Sequence, residues 1–300
     1  MRSRMLTYLV LGAVVAAAAS GILASRSFSI GETTVAALAK ETHFHGLAVD
    51  PSDPSRLYLA THHGLYAVGI DGRARLVSET RDDFMGFTPH PTDPATLYAS
   101  GHPARGGNLG FIASSNGGKS WAKLSDGVRG PVDFHQMDTS KANPNVIYGV
   151  YGDLQKSTDG GRTWQRVGPA PQGLIALAAS SKDENSIFAA TEQGLQLSAD
   201  GGRSWRPAHP SRQPVTAVHV TANGIIYAFV VGTGLVRAKE PDPQWQTVGT
   251  GFGRDYVLHL AADPHNGEAL YAVTLNPGTH AQALIASRDG GASWAPLGGT

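Results

Sequence analysis

The stretch STDGGRTW, Ser157–Trp164, recurs as SSNGGKSW at Ser114–Trp121, SADGGRSW at Ser198–Trp205 and SRDGGASW at Ser287–Trp294. Each copy reads as the turn of a β-hairpin. The paired glycines supply the positive φ that the reversal needs, and the Asp (Asn116 in the first copy) can accept hydrogen bonds from the N–H groups of its own turn. The Trp is a large apolar side chain that has to be buried against a neighbour. One such unit cannot hide its Trp alone, so the units must stack.

Spacing gives their number. The serines stand 43, 41 and 89 residues apart, and the last gap is two periods. Midway through it, AKEPDPQW (Ala238–Trp245) keeps the Trp and has lost the glycines. Upstream, AVGIDGRA (Ala67–Ala74) keeps an Asp-Gly turn without the Trp. The strand syntax around the turns repeats as well: HGLAVDPSDPSRLYLA (His45–Ala60) aligns turn for turn with segments beginning at Met85, His135, Ile175 and Leu258, and Thr216–Val230 is a shortened version. Six repeats of about forty residues, each with four short strands, predict an all-β chain folded as a six-bladed β-propeller, with the hairpins between the third and fourth strands of the blades.

The eight-residue phrase resembles the Asp box, or BNR repeat, of sialidase-like propellers, and the likeness runs from Glu41 to the C-terminus. It implies innermost strands lining a central channel. The loops leading into those strands, and the loops joining second to third strands, would share one face, with the Asp boxes on the other. The box Ser, Asp and Trp are then scaffold, explained by turn geometry and burial between blades. Propellers of this kind include sialidases and other glycosidases, receptors and assembly factors without enzymatic activity, so the resemblance fixes the architecture and leaves the activity open.

Composition narrows the field. With 24 basic and 24 acidic side chains and no basic block, nothing favours nucleic acid or an anionic membrane. The absence of cysteine excludes disulfides, a thiolate nucleophile and a thiolate metal site. Arg2 and Arg4 followed by an apolar run from Leu6 to Ala19 read as an export signal over residues 1–24, either cleaved or kept as an N-terminal membrane anchor. Residues 25–40 read as a linker and 41–300 as the propeller, lying outside the cytoplasm as a monomer. The last outer strand after Trp294 is short, which leaves residues near Phe28–Ile30 as a candidate extra strand for the last blade.

The lead-ins to the innermost strands carry the chemistry. They read His43-Phe44-His45, Asp83-Phe84-Met85 and Asp133-Phe134-His135 in the first three repeats, and Asp255-Tyr256-Val257 in the sixth. Strand alternation gives the residues flanking each Phe one orientation. The loops joining second to third strands add His62, His63 and His102, and the long loop of the sixth repeat adds His280. Seven of the twelve histidines thus fall on one predicted face. Imidazole, thioether and carboxylate together suit Cu, or Zn, and His43, His45, Met85 and His135 are the candidate ligands. The leading expectation is a binding or accessory module taking a metal, a small molecule, a glycan or a protein at the channel mouth.

The alternative is a glycoside hydrolase with Asp83, Asp133 or Asp255 as acid and base. Arg81, Arg129 and Arg254, with His62, His102 and His280, would then hold the substrate. A sialidase is disfavoured. The resemblance calls for a Phe/Tyr-Arg-Ile-Pro motif carrying the first substrate arginine, and His43-Phe44-His45-Gly46 stands in its place.

Overall fold

Each repeat folds in chain order into one antiparallel sheet in a computed structural model of the chain, which describes residues 32–299. Six sheets result, five of four strands and one of five. The innermost strands are Phe44–Val49, Asp83–Pro89, Gln136–Thr139, Leu174–Ala179, Val215–Val220 and Tyr256–Ala262, and each contacts the next around a closed ring. We number the blades 1 to 6 in that order. The segments read as an export signal and as a candidate closing strand lie outside the described residues. No helix among the described residues is long and apolar enough to cross a membrane.

The end of the stretch read as a linker is part of the fold. Thr33–Thr34 pairs with Arg73–Leu76, the outer strand of blade 1, and the short helix Val35–Leu38 follows under the cap of the Thr34 hydroxyl, which accepts from Ala37 N at 3.2 Å. Val35 and Leu38 are buried in the core shared by blades 1 and 6, a pair of apolar anchors that a polar, small-residue composition conceals. Blade 6 takes its outer strand, Ala295–Pro296, from its own repeat. Packing therefore closes the ring: Leu57, Leu59 and Tyr66 of blade 1 meet Ala261, Tyr271 and Val273 of blade 6. The Gln282 side chain also accepts from Phe44 N at 2.8 Å across that seam.

The Asp boxes sit between third and fourth strands. In the second copy Ser157 Oγ donates to Asp159 Oδ1 at 2.8 Å and accepts from Gly161 N at 2.8 Å, while Asp159 Oδ1 accepts from Thr163 N at 2.9 Å. The copies at Ser198 and Ser287 repeat the pattern. The Thr163 hydroxyl and N–H hold the Asp159 carboxyl down to about 2. Trp164 then packs on Phe111 of the same blade-2/blade-3 seam and on Phe134, at ring separations of 5.1 and 4.8 Å. The decayed fifth copy keeps this docking through Trp245 Nε1, which donates to Ala208 O at 2.7 Å.

One buried hydroxyl ties a blade seam to the channel mouth. Ser100, fully buried in the second strand of blade 2, accepts from Phe134 N at 2.9 Å and donates to Val132 O at 3.3 Å, holding the lead-in of blade 3 on either side of Asp133. Replacing Ser100 by alanine leaves the buried Phe134 N–H without this partner, while Val132 O keeps the bond from Gly110 N at 3.0 Å. The substitution is expected to lower unfolding free energy by about 1–3 kcal/mol, measured by urea denaturation. A loss under about 0.5 kcal/mol would mean that water reaches that N–H.

Candidate functional site

Phe44, Phe84 and Phe134 are buried to 1 %, 0 % and 0 % exposure in the cores between blades, which turns their neighbours towards the channel mouth. In blades 1 and 2 the pairing of first and second strands shifts register just after the Phe, between Phe44 and Gly46 and between Phe84 and Gly86. His45 and Met85 are thus the extra residues of bulges, devices that re-aim a side chain at the rim of a sheet.

Two clusters result. In the first, at the seam of blades 1 and 2, His62 Nδ1 stands 2.6 Å from Asp83 Oδ2. His45 Nε2 stands 3.1 Å from His62 Nε2 and 4.0 Å from Asp83 Oδ1. Asp83 Oδ1 is itself buried and accepts no hydrogen bond. In the second cluster, at the seam of blades 2 and 3, His102 Nε2 and His135 Nε2 approach the same oxygen, Asp133 Oδ2, at 2.9 and 2.6 Å. Asp133 Oδ1 is likewise buried without a hydrogen bond. Within each cluster one ligand atom per residue lies within 4.8 Å of the others. The clusters adjoin, because Asp83 of the first and His102 of the second are paired residues of neighbouring strands in blade 2.

The two clusters follow one construction rule. The loop histidine of one blade meets the lead-in aspartate of the next, His62 with Asp83 and His102 with Asp133. The third member comes from the position just after a lead-in Phe, His45 from the earlier blade and His135 from the later one.

Electrostatics separates the rings. Burial pushes His45 well below the ordinary imidazole range, and neighbouring His62 adds to it, so this ring is neutral and offers a lone pair at physiological pH. Burial, with His62 and His280 nearby, lowers His43 as well, and its ring stacks edge-on to His62 at 5.7 Å. The bond to Asp133 moves His135 the other way, upwards. Below the mouth, His45 and His135 both look into a channel of ≈ 300 Å³ whose wall includes His219 and His259.

The candidate ligand set His43, His45, Met85 and His135 is therefore not one group. His45 and His135 belong to different clusters, His43 flanks the first, and Met85 is buried at 7 % exposure. The physical reason is the blade: His45 and His135 stand on different blades and face different seams. The candidate acids are all engaged: Asp83 and Asp133 as above, and Asp255 by Asn276 Nδ2 at 2.6 Å. His280 is exposed at a positive φ of 58°, Arg129 is exposed at 71°, and Arg254 is exposed, while Arg81 is half-buried at the start of blade 2. The three arginines stand on the lead-ins of blades 2, 3 and 6. Sequence reasoning placed His62 and His102 at the mouth and missed that each meets the next lead-in aspartate. The signal was the shared alignment of Thr61-His62-His63-Gly64 with Gly101-His102-Pro103 and of Asp83 with Asp133.

The BNR/Asp-box repeat family matches residues 155–166, the second box. No curated protein sequence matches the chain. Among solved structures, the chain is similar to a GH74 enzyme of Niastella koreensis, with 14 % identity, a TM-score of 0.59 and coverage of 85 % of this chain and 45 % of that one. It is also similar to the GH74 xyloglucanase of Xanthomonas campestris, with 20 % identity, a TM-score of 0.57 and coverage of 90 % and 46 %. The chain thus spans less than half the length of these GH74 structures. YCF48 bound to D1 peptide matches over 92 % of this chain and 86 % of its own, with 15 % identity and a TM-score of 0.53. At these identities the likeness is one of fold. With its repeated boxes, its six sheets and these neighbours, the chain is a six-bladed β-propeller that carries a BNR/Asp-box repeat.

Proposed function

We propose that this propeller is a binding or accessory module working outside the cytoplasm, and that its channel mouth captures a transition-metal ion through His45, His62 and Asp83. The fold does not choose between roles, since similar propellers occur both as GH74 enzymes and in YCF48 bound to D1 peptide. The observation that carries the reading is the cluster at the seam of blades 1 and 2. Three ligand atoms from two blades lie within 4.8 Å of one another, and one carboxylate oxygen is buried with no hydrogen bond.

The distances suit a shared ion. Metal–nitrogen and metal–oxygen bonds of about 2.0–2.1 Å at tetrahedral to right angles put neighbouring ligand atoms about 2.9–3.4 Å apart. The 3.3 Å between His45 Nε2 and His62 Nδ1, the His62 nitrogen that also meets Asp83, falls in that range, and the carboxylate, at 2.6 Å from His62 and 4.0 Å from His45, has to shift by a few tenths of an ångström to join them. Two imidazoles and a carboxylate favour Zn²⁺ or Cu²⁺ over Mg²⁺ or Ca²⁺, which prefer oxygen alone. Three protein ligands leave a position open, the arrangement that lets a bound ion take up a further donor from a ligand.

The glycosidase alternative has less support. A general acid and base must be free to reach a glycosidic oxygen and a water. Asp83 and Asp133 face imidazoles, and Asp133 is 4 % exposed. The metal reading uses those contacts, and the hydrolytic one has to break them.

Elemental analysis of protein purified without a His tag is the test. About one equivalent of Zn or Cu attributable to this seam is expected, lost in His62→Ala with the thermal melt retained. Metal-free protein that cleaves a chromogenic glycoside would establish the alternative.

A further inference from the structure

We infer that the seam of blades 2 and 3 carries a second, separate transition-metal site, formed by His102, Asp133 and His135. This rests on the metal reading of the first seam, and it adds an observation that the first seam does not supply.

That observation is a tautomer conflict. His102 Nδ1 lies 2.9 Å from Gly107 O, and a carbonyl oxygen can only accept, so the ring proton of the neutral form is on Nδ1. Its Nε2 then carries a bare lone pair, and the atom 2.9 Å in front of that lone pair is Asp133 Oδ2, another lone-pair carrier. Two acceptors facing each other repel unless a metal ion or a proton sits between them. His135 Nε2 approaches the same oxygen at 2.6 Å, so two imidazole nitrogens and a carboxylate oxygen converge there, a donor set that suits Zn²⁺ or Cu²⁺. The second oxygen of the carboxylate, Asp133 Oδ1, is buried and has no hydrogen bond, on a side chain that is 5 % exposed. A buried carboxylate keeps company with a counter-charge.

A divalent ion resolves all of these at once. It accepts the lone pairs of His102, His135 and Asp133, and the Gly107 carbonyl fixes the His102 tautomer from behind, as metal-bound histidines are commonly oriented. The competitor on the same geometry is a single added proton: His102 carrying both ring protons, with its Nε2–H donated to Asp133 Oδ2, and neutral His135 donating its own Nε2–H to the same oxygen. Metal titration separates the two, since a cluster satisfied by that proton takes up no ion.

The pattern is also duplicated. A loop histidine meeting the next lead-in aspartate occurs at two consecutive seams, His62 with Asp83 and His102 with Asp133, each completed by the histidine that follows a lead-in Phe. His45 and His135 both line the central channel, so the open positions of both ions face one cavity of ≈ 300 Å³. A ligand entering that cavity with a carboxylate or imidazole group could bind either ion or span the two.

The experiment is a count. Untagged full chain, stripped with a chelator and dialysed, is titrated with Zn²⁺ at pH 7.5 by calorimetry and checked by elemental analysis. The expected stoichiometry is two per chain, falling to one in His102→Ala, to one in His62→Ala and to none in the double variant. The His102 and His135 side chains are 38 % and 43 % exposed, so His102→Ala and the second probe, His135→Asn, remove little packing, and circular dichroism melts verify the fold. One equivalent in the parent chain, unchanged by His102→Ala and His135→Asn and lost in His62→Ala, overturns this second site and leaves the first standing. One equivalent lost in His102→Ala and unaffected by His62→Ala supports the second site and removes the first. No Zn²⁺ bound overturns both.

Discussion

Replacing Gly161 by alanine is expected to destabilise the propeller by about 3–5 kcal/mol, while the same change one residue earlier, at Gly160, costs about 1 kcal/mol. Both glycines of the second box have positive φ, 72° at Gly160 and 85° at Gly161, so both substitutions incur backbone strain. They differ in what a new Cβ meets. At Gly160 the nearest atom is Arg162 Nη1 at 3.5 Å, the end of a flexible exposed side chain, whereas at Gly161 it is the Phe111 ring at 2.0 Å. Phe111 is fully buried, in the third strand of the preceding blade, and the Trp164 ring packs on it at 5.1 Å. The ring cannot withdraw without opening the seam. The second glycine of each complete box meets the third strand of the preceding blade in the same way: Gly118 on Leu65, Gly202 on Leu154 and Gly291 on Leu235. Urea denaturation of the two variants beside the parent tests this. Equal losses at Gly160 and Gly161 would sink the claim that the box docks on its neighbour through its second glycine.

That pair also explains what the sequence could disclose. The box residues act within a few positions of each other, through turn hydrogen bonds and φ, so the repeat, the number of blades and the placement of the turns could be read from one chain. The strand-start phenylalanines were legible for a related reason: a Phe at the start of an inner strand has to be buried, which turns its neighbours to the mouth. The grouping of those neighbours was not legible. Whether His45 pairs with His135 or with His62 and Asp83 depends on which blades share a seam and on bulges after Phe44 and Phe84, and a bulge leaves no mark in residue type. Val35 and Leu38 were missed because two buried side chains in a short segment carry no periodicity.

Acid is expected to weaken the fold between pH 6.5 and 4, well before any carboxylate with a resolved downward shift is protonated, and buried histidines are the cause, two channel histidines foremost among them. His219 and His259 lie on the innermost strands of blades 5 and 6, and burial pushes both down to about 4. For His219, Lys141 adds to the depression and Asp138 partly offsets it, whereas His259 is partly restored by the bond its Nε2–H donates to Phe44 O at 3.2 Å. The unfolded chain takes up a proton on each ring near pH 6.5, which the folded chain refuses until about 4. The unfolded state therefore binds more protons throughout that window, and stability falls as pH falls through it and is flat above it. Full burial would make the loss about 3 kcal/mol per ring. Both rings line the channel and keep some water contact, which reduces the expected loss to about 2 kcal/mol each. His135, raised by its bond to Asp133, acts in the opposite sense, adding stability below the unfolded value that is lost as pH rises through its folded one. The box carboxylates Asp159 and Asp289, held down to about 2, lose their contribution only below the ordinary carboxylate range, outside this window. Burial also pushes His45 well below its ordinary value, so it adds to the same loss. Urea denaturation of metal-free protein at pH 7, 6, 5 and 4 gives the slope, and His219→Gln should reduce the loss by about 2 kcal/mol. His259→Gln should reduce it by a similar amount, its amide keeping a donor for the Phe44 carbonyl. Stability that stays level from pH 7 to 4 in the parent chain would show that these rings are already hydrated enough to carry charge, and that the channel is a wet passage along its whole length.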